Sequence, residues 1–182
     1  MNDALSPHEL AAEGKAAYQR GDFLAAARAF QAAAAGYQTA GDRLSGAEML
    51  NNCSVAYLRA GDGAAALRAV EGTPAIFAQS GDLKRQGIAL GNLAAALEAV
   101  KRYTEAIDAY QQSAELLRQA GEAEMYSQAL KSLSLLQLRV GNRLEAVASM
   151  QSSLAGIESQ SGKRSWMSRF FSLPGRLLGR NR

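Results

Sequence analysis

Residues 41–62 read GDRLSGAEMLNNCSVAYLRAGD, a run that suits a helix and lies between two copies of one Gly-Asp pair. Glycine just past a helix end takes the left-handed conformation without a Cβ penalty, and an aspartate after it can cap the next helix. Each pair therefore reads as the stop of one helix and the start of another. Working outward, the pair stands at Gly21-Asp22 and Gly81-Asp82, and in weaker form at Gly121-Glu122 and Gly141-Asn142, on a grid of twenty residues. Lys101-Arg102 fills the one internal slot without it, and the series fades near Ser161-Gly162. A fixed period of this kind signals a repeat architecture.

The punctuation predicts helices over 6–20, 23–40, 43–60, 63–80, 83–100, 103–120, 123–140 and 143–160, most of about 18 residues and about 26 Å long. Connections this short force consecutive helices to be antiparallel neighbours. The first helix opens on a capping box, Ser6-Pro7-His8-Glu9, with proline in its first turn. Segment 63–80 is the weakest, because Gly72-Thr73-Pro74 should bend or shorten it.

Successive segments alternate in character, so the repeat is forty residues long. Phe23-Leu24-Ala25-Ala26-Ala27-Arg28-Ala29-Phe30 aligns with Tyr103-Thr104-Glu105-Ala106-Ile107-Asp108-Ala109-Tyr110, and again with Arg143-Leu144-Glu145-Ala146-Val147-Ala148-Ser149-Met150. A large residue, an alanine three later and a second large residue four further on share one helical face. The alanine lets two helices approach while the large residues fill the space on either side.

On these residues the chain resembles the tetratricopeptide repeat family: Gly14 lies seven before Gly21, followed by Phe23, Ala26 and Phe30. Tyr57 lies four before Gly61 and precedes the Ala66 helix, and Tyr103, Ala106 and Tyr110 repeat the pattern. The resemblance implies an all-α, right-handed superhelical solenoid of four antiparallel helix pairs. Its repeats fall at about 6–42, 43–82, 83–122 and 123–162, followed by an amphipathic tail over 163–182. The period exceeds the family's common 34 residues and looks like the long-helix subclass of kinesin light chains. Gly63 stands where an aromatic is expected, and Leu97 and Gln137 stand where tyrosine is expected, which predicts poorer packing in the second repeat.

The resemblance also implies that the first helix of each pair lines a concave, partner-binding face. The residues so placed are His8, Ala11, Lys15 and Gln19, then Glu48, Asn51, Asn52, Val55 and Arg59. The later repeats add Ile88, Asn92, Ala95, Gln128, Lys131, Leu135 and Arg139. Amides such as Asn52 and Asn92 can donate and accept together, which suits the backbone of an extended peptide; the bland alternative is that they bond neighbouring helices or water. A carboxylate clamp of the family's type would be incomplete, since Ala11 and Ile88 stand where further polar members are needed. A small-lined apolar centre with basic edges favours a protein partner offering an amphipathic helix, or an extended segment with apolar anchors and some acids. Self-association is a further partner class.

Other chemistries find little support. Cys53 is the only cysteine and His8 the only histidine, so a cysteine-rich metal site or disulfide framework is excluded, and Cys53 is expected to be buried and inert. Asp22, Asp42, Asp62 and Asp82 are explained as caps, and no glycine-rich loop exists to cradle phosphate. Neither catalysis nor a cofactor is expected. Met1–Pro7 lacks the features of a signal peptide and no stretch suits a membrane span, so the expectation is a cytoplasmic protein.

The chain has 20 basic and 17 acidic residues, but residues 163–182 hold six of the basic ones and no acid. An acidic body with a basic tail is not the footprint of a nucleic-acid binder. As a helix, 163–173 would gather Trp166, Met167, Phe170, Phe171 and Leu173 on one side, with Arg164 and Arg169 opposite. Three roles fit: a cap on the last repeat, an anchor to an anionic membrane surface through Trp166, Arg169, Phe170 and Phe171, or a segment that occupies the groove. The anchor would make the protein a peripheral membrane adaptor.

Overall fold

A computed structural model of the chain describes residues 5–155. It holds α1 (Pro7–Gln19), α2 (Phe23–Thr39), α3 (Arg43–Arg59), α4 (Gly63–Val70), α5 (Thr73–Gln79), α6 (Leu83–Ala99), α7 (Tyr103–Gln119) and α8 (Ala123–Arg139). A ninth helix, α9, follows over 143–155. α1, α2 and α3 pack in sequence order, as do α6, α7 and α8, while α4 and α5 both pack between α3 and α6; α3, α6 and α8 also touch in series. The result is an all-α solenoid of four antiparallel pairs, as the spacing predicts, with the second member of pair two split into α4 and α5. The expected array end at 162 lies outside the described residues.

One joint, used repeatedly, sets this layout. At the first, the Gly21 N–H donates to the Tyr18 carbonyl and the Asp22 N–H to the Ala17 carbonyl, both at 3.0 Å. This pair of bonds closes α1 in a Schellman turn. The Asp22 carboxylate then accepts from the Ala25 N–H at 3.0 Å and opens α2. Asp42, Asp62 and Asp82 do the same at 2.8–3.0 Å, each satisfying an N–H that the helix start leaves free. The Ser45 hydrogen bonds hold the Asp42 carboxyl below its ordinary range, and those of Arg85 do so for Asp82. Both contributions are present above the ordinary carboxylate pKa and fade as pH falls through the lowered one.

The six joint glycines have φ between 71° and 91°, and Lys101 takes the same conformation at φ 64°. The lapse in the Gly-Asp grid is thus a lapse of residue type only. Its Lys101 and Arg102 N–H groups still close α6 on Glu98 and Leu97. Arg102 cannot cap α7, and instead pairs with Glu105 at 2.7 Å.

The forty-residue register is visible in burial: Ala26, Ala66, Ala106 and Ala146 are all sealed in the core. Gly14 lies so close to Phe30 that a Cβ there would sit 2.8 Å from the ring. Gly63, which looked like a weak point, does similar work. A Cβ on it would fall 2.7 Å from the Ala99 Cβ, so the missing aromatic is what lets α4 close against α6. Leu97 and Gln137 are buried in place of tyrosine, and Gln137 accepts from the Ser149 hydroxyl at 2.9 Å.

The break between α4 and α5 follows from Pro74, which has no N–H to offer the Val70 carbonyl. The Thr73 hydroxyl takes over, lying 2.9 Å from that carbonyl and 2.9 Å from Asn51 Oδ1. One proton cannot serve both, so turning the Asn51 amide to present Nδ2 to the hydroxyl satisfies all three groups. Replacing Thr73 by valine leaves buried polar groups unpaired and should cost about 1–3 kcal/mol in urea denaturation, with Thr73→Ser much milder. At the joints, Gly41→Ala should cost about 1 kcal/mol from its backbone conformation, although nothing lies within 4 Å of the added methyl. Lys101→Gly should move stability in the opposite direction.

Candidate functional site

Residues 8, 11, 12, 15 and 19 share one face of α1, and 48, 52 and 55 share the matching face of α3. Between these faces lies a hollow of about 720 Å³. His8, Ala11, Ala12, Lys15 and Gln19 form one wall and Glu48, Met49, Asn52 and Val55 the other, over Phe30 and Tyr18. Two repeats on, α6 and α8 enclose a smaller hollow of about 340 Å³. There Ile88, Asn92 and Ala95 face Gln128 and Ser132 above Tyr110. The register makes Ile88 the counterpart of His8 and Ala95 that of Lys15, so the second hollow lacks the lysine and the imidazole of the first. A third, of about 630 Å³, lies on α8 and α9, where Lys131, Leu135, Met150 and Leu154 line it.

Of the residues expected to line the groove, Lys15, Gln19, Asn52 and Val55 meet in the first hollow, and Ile88, Asn92, Ala95 and Gln128 in the second. Five others are placed differently. Asn51 is buried against Thr73, because the last face of α3 must satisfy the α4–α5 break. Arg59 stacks over the Phe23 ring at 5.0 Å, and Arg139 pairs with Glu98 at 2.7 Å. Lys131 and Leu135 belong to the third hollow rather than to a cleft between two first helices. Met49, Ser132 and the floor residue Phe30 escaped the sequence reading. Phe30 carried a signal, its place in the repeat, but that signal speaks of packing and not of exposure to a hollow. Trp166, Arg169, Phe170 and Phe171 lie outside the described residues.

The electrostatics of the first hollow are mixed. Lys15 and Glu48 stand on opposite walls, and Arg85 reaches Glu48 at 3.8 Å while bonding Asp82 at 2.6 Å. Tyr110, under the second hollow, is pushed up to about 12 by burial and by the nearby Glu98 carboxylate, so it stays a neutral phenol. Cys53 is buried, donates to the Ala27 carbonyl at 3.3 Å, and has its thiol pushed up to about 11 by burial. Such a thiol is a poor nucleophile. Among the described residues no cluster of His, Cys, Asp or Glu could hold a metal ion, and no helix is long and apolar enough to cross a membrane.

The fold and its hollows define a tetratricopeptide-like helical array. Residues 85–159 match the tetratricopeptide repeat family model, which covers the third and fourth helix pairs and supports that family for the chain. No curated protein matches it in sequence. Among solved structures, the apo form of RapI is similar with a TM-score of 0.76 at 14% identity, over 86% of this chain and 58% of that one. A Rap protein complexed with Competence and Sporulation Factor gives 0.72 at 17% identity, over 88% and 45%. MamA gives 0.53 at 18% identity, over 86% and 94%. The chain thus spans about half the length of the Rap proteins it matches. Identities this low speak for a shared fold alone.

Native Cys53 should resist a maleimide and react only on unfolding. Its pKa is higher folded, about 11, than the ordinary 9.0. Its contribution to stability is therefore complete below pH 9 and lost as pH rises toward 11. Denaturation measured across that window checks the sign.

Proposed function

We propose that this chain is a non-enzymatic adaptor or assembly scaffold that holds a peptide or helix of a partner protein in its concave groove. The observation that carries the reading is the first hollow, about 720 Å³ between α1 and α3, where alanine, valine and methionine line walls edged by Lys15, Gln19, Glu48 and Asn52. A cleft of this size, mostly apolar with a few polar groups, suits an inserted side chain and the backbone beside it. Asn52 and Asn92 recur forty residues apart along the groove, a spacing that lets one extended or helical ligand meet both amides. The structural likeness to a Rap protein complexed with Competence and Sporulation Factor supports an array of this shape as a ligand holder. The forty-residue period supports a reading of the array as a long-helix one resembling that of kinesin light chains, and a cytoplasmic setting agrees with its single, buried cysteine.

A peptide library selected on the full chain should return sequences with apolar anchors and one or more acids. Asn52→Arg fills the first hollow with a cation and should weaken a selected peptide at least about tenfold, near 1.4 kcal/mol, while helicity stays at the wild-type level. Equal affinity in the two proteins would show that the ligand sits elsewhere.

A further inference from the structure

The last described repeat exposes residues that its own register elsewhere covers. Position 27 recurs at 67, 107 and 147: Ala27 is buried, Leu67 and Ile107 are partly buried, and Val147 is 54% exposed. Position 34 recurs at 74, 114 and 154: Ala34, Pro74 and Ala114 are buried, and Leu154 is 54% exposed. In the earlier pairs the cover comes from the first helix of the following pair, α3 on α2, α6 on α5 and α8 on α7. Among the described residues the third hollow repeats one wall and the floor of the first. Leu135 stands in the register of Lys15 and Met150 in that of Phe30, and no described residue supplies the facing wall.

The same register names the absent wall. α6 and α8 begin at Leu83 and Ala123, so the same step points to residue 163, where the basic amphipathic stretch starts in the sequence. Phe170 then follows Leu10, Leu50, Leu90 and Leu130 at steps of forty, Leu173 follows Leu93 and Leu133, and Trp166 follows Tyr126. Leu90, Leu130 and Leu133 are core residues. Pro174 ends the stretch after about three turns. Arg169 departs from the pattern by following buried Ala129, a position where a long side chain would have to carry its charge out to water.

We propose that residues 163–173 form a shortened fifth first-helix that docks on the exposed face of α8 and α9, setting Trp166, Phe170 and Leu173 against Val147, Leu154 and Met150. The array then runs past 162, and the cationic side of the segment becomes its outer, water-facing end. A solenoid needs such an end, since an uncovered repeat leaves apolar surface in water.

Trp166 is the chain's only tryptophan, so its fluorescence reports this segment alone. In the full chain, without lipid or ligand, docking predicts blue-shifted emission and weak acrylamide quenching that do not change on dilution. Val147→Glu and Leu154→Glu should each raise the quenching constant several-fold at unchanged array helicity, and Asn52→Arg should leave it as in the wild type. Val147→Gln and, from the other side, Phe170→Ser give milder versions should a charged variant lose helicity. Four results would overturn the proposal: quenching of the wild type as strong as that of an unfolded chain, shielding lost on dilution, which marks a second copy as the cover, shielding that requires anionic vesicles, and shielding lost in Asn52→Arg but not in Val147→Glu, which marks the groove as the seat.

Discussion

Everything in this array hangs on one joint, in which a left-handed residue closes a helix and, at four of the joints, the aspartate after it opens the next. The bonds are local: two backbone N–H groups return to the helix just ended, and a carboxylate accepts from an N–H three residues ahead. A connection with no spare residue leaves each helix little choice but to fold back on its predecessor. Because the joint recurs on a fixed grid, so do the faces it presents, and small residues meet large ones at the same depth in every pair. Ala26, Ala66, Ala106 and Ala146 are buried alike for that reason. Lys101 shows that conformation, rather than glycine itself, is what the joint demands.

The second pair tests how far such a scheme bends. Pro74 removes a donor in mid-helix, and the chain answers with a break, a threonine hydroxyl and a buried asparagine from the facing helix. Gly63 in turn lets the shortened α4 sit against α6 without a side chain between them. A departure from the repeat pattern thus coincides with a closer approach of backbones, and the array stays continuous through it. Nearest-neighbour packing makes this possible, since each pair needs only to match the ones beside it.

The proposed binding role rests on the same geometry. Side chains on the first helices that are not needed for packing converge in hollows, and those hollows differ because equivalent positions carry different chemistry. His8 and Lys15 give way to Ile88 and Ala95, so one array offers a polar-edged cleft near its start and a more apolar one further on. Two unlike clefts on one surface suit a ligand long enough to read both.

Helix boundaries, antiparallel pairing and the forty-residue repeat were legible in the sequence, since glycine, aspartate and proline act through the backbone within a few residues of themselves. That Lys15, Asn52 and Val55 share one hollow and Ile88 and Asn92 another agrees with what the tetratricopeptide resemblance implied, since helical periodicity sets which side chains share a face. The place of Asn51 was not legible, for its neighbour across the core is Thr73, and only the break at Pro74 gives that pair something to satisfy. Nor were the ties of Arg59 to Phe23 and of Arg139 to Glu98, which join residues far apart in the chain. The sequence by itself determined where each helix stops and which way the next one runs, because those choices are local. Only the tertiary structure decided which of the facing side chains stay free for a partner, because that depends on what packs against them from elsewhere in the array.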